Sequence, residues 1–135
     1  MKRAKLFITE SDFVRLNDLI DSVKKFFRRD QEHLTSLQEE LNQAEVVRPD
    51  RLPANVVTMN SQVRITDLDT GEQTVYTLSF PHQADIDRNR ISVLAPIGTA
   101  LLGYRTGSVV RVQVPRGRKR LRIEEVRLPS GHEAA

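Results

Sequence analysis

The densest group of chemically capable side chains in this sequence is cationic: Arg116, Arg118, Lys119, Arg120 and Arg122 fall close together near the C-terminal end. Guanidinium and ammonium groups at that density neutralise phosphate. They therefore fit a nucleic acid, equally an acidic protein surface, and equally a solvated strand face with no partner. No aromatic cluster of the kind that stacks bases stands beside them, and Phe, Trp and Tyr make up only 5% of the chain. Metal chemistry has little to work with. Cysteine is absent, and His33, His82 and His132 are scattered without ligand spacing, so no zinc site is expected. Nothing reads as a catalytic triad, a P-loop or a dinucleotide fingerprint; GTALLG, at 98–103, lacks the glycine spacing of the last. The expectation is a protein with no catalytic residues, no metal and no cofactor.

The chain has 135 residues, 39% of them hydrophobic, which suits one domain or one domain with a small appendage. No window approaches the roughly 18 uninterrupted apolar residues of a membrane span. The opening MKRAKLFITESDF has too short an apolar stretch for a signal peptide, so a soluble cytoplasmic protein is expected. The net charge of +3 hides an asymmetry. Residues 9–46 carry nine acids against five bases, whereas residues 105–128 carry eight Arg and Lys against only Glu124 and Glu125. The molecule is electrically two-ended.

Those charges must be positioned by elements, and the apolar spacing says which. Phe13, Leu16, Ile20, Val23 and Phe27 recur at alternating intervals of three and four, a heptad seam on an amphipathic helix. Thr9 is placed to cap it, with Asp12 as an acid in the first turn. After RRDQEH the rhythm returns at Leu34, Leu37, Leu41 and Ala44. Two such stripes bury each other best as an antiparallel hairpin, a short coiled coil. The rival is one long helix pairing with another chain, since the heptad runs on through a tip without Gly or Pro. Asp30 would then lie on the seam, where a buried charge is costly, and that favours a turn.

RPDRLP, with Pro49 and Pro53, ends the helical part, which gives a division into residues 1–48 and 54–135. VVTMNSQVRITDL, a turn at Asp69, Thr70 and Gly71, and QTVYTLSF read as a β-hairpin. Val110, Val112 and Val114 alternate with Arg111 and Gln113; PRGR turns the chain, and Leu121 and Ile123 alternate with Arg120, Arg122 and Glu124. The sum is an α+β fold in which a helical hairpin precedes an antiparallel sheet with one wet, basic face. Between the hairpins, ISVLAPIGTALLGYRTGSVVRV reads as a strand at 91–94, a bend at Pro96, Ile97 and Gly98, and one helical turn closed by Gly103 that lays Leu101 and Leu102 on the sheet.

At this point the residues resemble a known family. VVTMNSQVRI, DLDTGE, then ISVLAPIGTALLGYRTGSVVRVQVPRG and a final strand look like the C-terminal domain of the bacterial transcript-cleavage factors GreA and GreB, over about residues 54–128. The TMNS and SVLAPIGTALLG strings are closest to the Rnk branch, the so-called regulators of nucleoside diphosphate kinase, which resemble Gre proteins with a shortened coiled coil. The resemblance implies an FKBP-like sheet with one short helix. It implies a protein that docks on the rim of the RNA polymerase secondary channel, on the β′ subunit, with Leu94, Ala95 and Pro96 at the docking edge. Gre factors commonly have an acid at the position of Leu94, where this chain departs from them.

The resemblance also directs attention to the hairpin tip, Arg28, Arg29, Asp30 and Glu32. Gre tips carry an Asp and a Glu that hold a second Mg²⁺ in the polymerase active site. Here Asp30 and Glu32 also suit the start of the second helix, and the two adjoining arginines weaken any pull on a cation. About 18 residues per helix give an arm of roughly 27 Å, which is short. The resulting expectation is a monomeric, non-enzymatic transcription regulator that competes with Gre-type factors at the channel and has at most weak nucleic-acid contact. The alternatives are a Gre-like cleavage factor using the tip carboxylates, and a free-standing RNA-binding module. Isomerase activity, known in FKBP-like folds, needs an aromatic-lined pocket for which the sheet region supplies only Tyr76, Phe80 and Tyr104.

Overall fold

Thr9 caps the first helix as its position suggests: its Oγ1 accepts the Asp12 N–H at 3.3 Å. The structure, a computed structural model, describes residues 6–26, 31–115 and 117–129. Helix α1 spans Glu10–Phe26 and α2 spans Gln31–Gln43. Leu16 and Ile20 of α1 and Leu34, Leu37 and Leu41 of α2 are each at most 1% exposed, with Phe13 and Val23 packed beside them. Burying a Leu or Ile side chain contributes about 1.5–3 kcal/mol, so this seam is what makes two short helices stable. They run antiparallel. At the base the Glu45 N–H donates to the Leu6 carbonyl at 2.8 Å, and farther along Asn17 Oδ1 accepts from Gln38 Nε2 at 3.4 Å. Phe27, Arg28, Arg29 and Asp30 lie outside the described residues, as does the side chain of Glu32.

Two strands that the periodicity does not announce clamp the base of the hairpin. Strand β1, Phe7–Thr9, leads into α1; β2, Glu45–Val47, follows α2, and the two pair in parallel. Three-residue strands are too short to show a period of two.

Five further strands make the sheet: β3 Gln62–Asp67, β4 Gln73–Ser79, β5 Arg90–Ser92, β6 Val109–Val114 and β7 Gly117–Arg127, in the order β5-β4-β3-β7-β6. The β3–β4 turn forms as expected, with Asp67 Oδ1 accepting the N–H groups of Asp69 and Thr70. The sheet is mostly, not wholly, antiparallel: β5 pairs with β4 in parallel. The cause is the connection, which uses two 3₁₀ turns, Pro81–Gln83 and Ile86–Arg88, and a left-handed Asn89 to bring the chain back in the direction of β4.

The short helix α3, Pro96–Leu101, starts earlier than expected, because Pro96 opens it rather than bending the chain ahead of it. Its ring has no N–H to leave unsatisfied and its φ is already helical. Leu101 and Leu102 are buried, as the sequence requires. They join Val63, Ile65, Val110, Val112, Leu121 and Ile123 in a core that continues without a break into Ile8, Leu16, Ile20 and Leu34. Helices and sheet share one interior.

Candidate functional site

The loop leaving β5 is built to hold one shape. Ser92 Oγ accepts the Leu94 N–H at 3.0 Å, and the Ser92 carbonyl accepts the Ala95 N–H at 3.0 Å. Thr99, itself buried, reaches back from α3 to donate its hydroxyl to the Val93 carbonyl at 2.6 Å. Gly98 lies so close to β5 that a Cβ there would stand 2.1 Å from the Ser92 carbonyl oxygen. On this frame Pro96 is exposed, whereas Leu94 and Ala95 are half-buried. Leu94 packs on the core, so only part of it is free for a partner.

The hairpin is fixed against the sheet domain at its base. Asp12, only 4% exposed, accepts the Met59 N–H with Oδ2 at 3.1 Å, across 47 residues of sequence. Sequence reasoning gave this carboxylate a helix-dipole role alone; its position three residues after a cap was the available signal. One turn on, the Arg15 guanidinium lies 4.3 Å from the centre of the Phe80 ring. The Phe7 N–H donates to the Gly103 carbonyl at 3.2 Å, and Gly103, at φ +83, closes the turn after α3. The sheet domain and the hairpin are thus tied through Gly103 and Met59 into one frame. Asp12→Ala strands the buried Met59 N–H and is expected to cost about 2–3 kcal/mol. Asp12→Asn keeps an acceptor oxygen and is expected to cost less than half as much, both read from urea denaturation midpoints.

The cations divide between the two faces of the sheet. In the β6–β7 register Arg111 faces Arg120, Gln113 faces Arg118 and Val109 faces Arg122, all on the side away from the core. Lys119 is a correction to the basic face expected from sequence. It sits opposite buried Val112, on the core side, because adjacent strand residues point to opposite faces. There its ammonium approaches Asp67 at 3.9 Å, beside a depression of about 90 Å³ that Tyr76 and Ile97 also line. Arg116 lies outside the described residues. Arg120 pairs with Asp69 at 2.8 Å, and that hydrogen bond raises its pKa above an already high value, so it stays charged. Among the described residues no three His, Cys, Asp or Glu side chains gather as a metal would require, and no helix is long and apolar enough to cross a membrane.

Comparison with known proteins adds to this geometry. The sequence matches the family described as Transcription elongation factor, GreA/GreB, C-term, over residues 52–128, and the family described as Rnk N-terminus over residues 5–47. It is 40% identical over 82 residues to the Regulator of nucleoside diphosphate kinase of Escherichia coli K12, covering 61% of this chain and 60% of that protein. It is 33% identical over 126 residues to Transcription elongation factor GreA of Clostridioides difficile, covering 93% of this chain and 79% of that protein. The match thus spans somewhat under two thirds of the first of these relatives. Among solved structures, the prokaryotic transcription elongation factor GreA/GreB from Nitrosomonas europaea superposes with a TM-score of 0.76 at 37% identity, over 92% of this chain and all of that one.

Proposed function

Because the chain belongs to the GreA/GreB family and carries an Rnk-type N-terminal region, we propose that it regulates transcription in the cytoplasm by binding RNA polymerase at the secondary channel, as a monomer without cofactor or catalysis of its own. In this reading residues 54–135 form an FKBP-like docking unit, with Leu94, Ala95 and Pro96 against the β′ rim, and residues 1–48 form an arm that enters the channel. The protein excludes Gre-type factors from the entrance and does not stimulate cleavage.

The observation that carries the competitor role is the length of the arm. At 17 residues, α1 is about 25 Å long, and α2 is shorter at 13 residues. Such an arm blocks an entrance well, and its contacts with the sheet domain at Asp12 and Arg15 leave little freedom for the tip to reach deeper. A rigid arm also loses little conformational entropy on binding.

The test is cleavage of a backtracked polymerase complex. Wild-type protein alone is expected to leave the intrinsic rate unchanged, and added to a Gre factor it should slow cleavage in proportion to its occupancy. Asp30→Asn and Glu32→Gln should change neither result. Pro96→Ala should weaken the competition with the fold intact, because truncating a central contact costs affinity. Leu94→Ala should weaken it too, with about 1–2 kcal/mol of stability lost from its packed half. Mg²⁺-dependent stimulation by the wild type, abolished by either carboxylate change, would replace this reading with that of a cleavage factor.

A further inference from the structure

The outward face of the sheet carries a row of arginines that neither the core nor the docking loop uses. Arg64 of β3, Arg111 of β6 and Arg118, Arg120, Arg122 and Arg127 of β7 all point away from the buried side, as the register with exposed Val75, Gln113 and Val109 requires. Three of these charges are partly compensated: Arg120 by Asp69, Arg122 by Glu124, and Arg127 by Glu125 at 3.4 Å. Arg64 and Arg111 make no ion pair with any described residue, and Arg118 has only a 3.4 Å hydrogen bond to Gln113.

This arrangement costs the fold something. Arg111 and Arg120 are direct cross-strand partners, and like charges placed so are destabilising. Strand geometry puts Arg118, Arg120 and Arg122 of β7 about 6.8 Å apart along the face, next to the edge strand β6, as a continuous cationic track. All six are arginines, whose planar forks bind phosphate oxygens in pairs, while Lys119, the one lysine of β7, faces the other way.

We propose that this outer face is a binding surface for the phosphate backbone of double-stranded DNA, independent of the polymerase-docking loop. The residues favour a duplex over a single strand. Single strands gain about 1–3 kcal/mol per base by stacking on aromatic side chains. The outward positions of β3, β4, β6 and β7 hold Arg, Gln, Thr, Val and Glu, with no aromatic among them. A duplex needs no stacking platform, and it presents the denser line of phosphates, so each neutralised charge releases more counterion: the salt slope is about −0.9 per contact, against about −0.7 for a single strand. Binding through Arg64, Arg111 and Arg118 alone would give a slope of about −3 in log K against log salt, weak at physiological ionic strength and indifferent to sequence.

The experiment titrates the full chain into a fluorescein-labelled mixed-sequence DNA duplex and follows anisotropy across a series of KCl concentrations. Arg111→Gln/Arg118→Gln should bind at least tenfold more weakly at low salt, with the slope reduced by about 2. Arg51→Gln/Arg88→Gln removes the same charge from exposed positions off this face and should bind like wild type. Far-UV circular dichroism of both variants should match wild type, since every altered side chain is exposed. The proposal is overturned by absence of duplex binding at low salt, by tighter binding to a single strand of equal length, or by equal losses in the two variants, which would leave net charge alone as the cause. Capture of an acidic protein with no affinity for DNA would overturn it equally.

Discussion

Leu37→Asp is expected to abolish the helical hairpin. Leu37 is completely buried in the seam between α1 and α2, in the same core as Leu16, Ile20, Leu34 and Leu41. A carboxylate in that place leaves water for an apolar seam, so the change combines the loss of a buried Leu, about 2–5 kcal/mol, with the desolvation of a charge. The sum is at least about 5 kcal/mol, comparable with the whole stability of a small domain. Leu37→Ala makes only the cavity and should cost the first part alone. We further propose that residues 54–135 keep their fold when the hairpin melts, because the sheet contributes Val63, Ile65, Val110, Leu121 and Ile123, and α3 Leu101, to the buried core from within that region. Amide exchange reads this directly: Leu37→Asp should lose protection in α1 and α2 and retain it in the central strands β3 and β7. Loss of protection everywhere would mean that the core shared with Ile8 and Leu16 makes the chain one cooperative unit.

The parts of this fold that were legible in the sequence are those with a repeating period or a turn chemistry of their own. The three-and-four spacing from Phe13 to Val23 and from Leu34 to Ala44 specifies two amphipathic helices, and Thr9 specifies where the first begins. Alternation at Val110, Val112, Leu121 and Ile123 specifies the last hairpin and which of its faces is wet. The misses have different physical causes. Strands β1 and β2 exist because Phe7–Thr9 and Glu45–Val47 meet across the base of the hairpin. The parallel direction of β5 follows from a connection whose turns open on Pro81 and on Asp85, whose side chain accepts the Asp87 N–H, and close on a left-handed Asn89; these residues mark turns but not the direction in which the chain leaves them. Lys119 belongs to a run of basic residues, but the strand's pleat separates it from its neighbours. At the candidate site the sequence marks Leu94, Ala95 and Pro96 only through family resemblance. The bonds that hold them, from Ser92, Thr99 and the close approach of Gly98, emerge only in three dimensions.

Asp12 shows how the same residue can satisfy a local rule and a distant one. Its place in the first turn suits the helix dipole, which any exposed acid there would do. Its burial and its bond to the Met59 N–H make it a fixed point between hairpin and sheet. In the function proposed above, an arm that presents its tip at a definite angle to the loop after β5 needs such a point. The turn after α3 is joined to the same base through Gly103 and Phe7. Changes at this base should therefore affect competition at the channel more than their distance from Pro96 suggests.

Gly98→Ala should be among the most disruptive single-methyl changes in the molecule, although Ala is the better helix former by about 1 kcal/mol. The added Cβ would lie 2.1 Å from the Ser92 carbonyl oxygen, 3.0 Å from its carbon and 3.1 Å from the Val93 Cα, all backbone atoms. None of them is free to give way. Ser92 is paired with Ser79 at the end of the β4–β5 ladder, its carbonyl holds the Ala95 N–H, and the neighbouring Val93 carbonyl holds the Thr99 hydroxyl. Overpacking commonly costs 1–3 kcal/mol where side chains can adjust; with backbone on the far side the expected loss is about 3 kcal/mol or more. Relief would come from moving α3 away from β5, which drags Leu94–Pro96 out of place, so competition with a Gre factor should fall together with the urea midpoint. Gly71→Ala is the comparison that separates crowding from backbone strain. Gly71 has φ +79 with open space around its would-be Cβ, so its substitution costs only the left-handed strain of about 1–2 kcal/mol and leaves the loop after β5 untouched. Should Gly98→Ala prove as stable as wild type, or more so, then α3 does not press against β5, and the loop after β5 has no rigid support from that side.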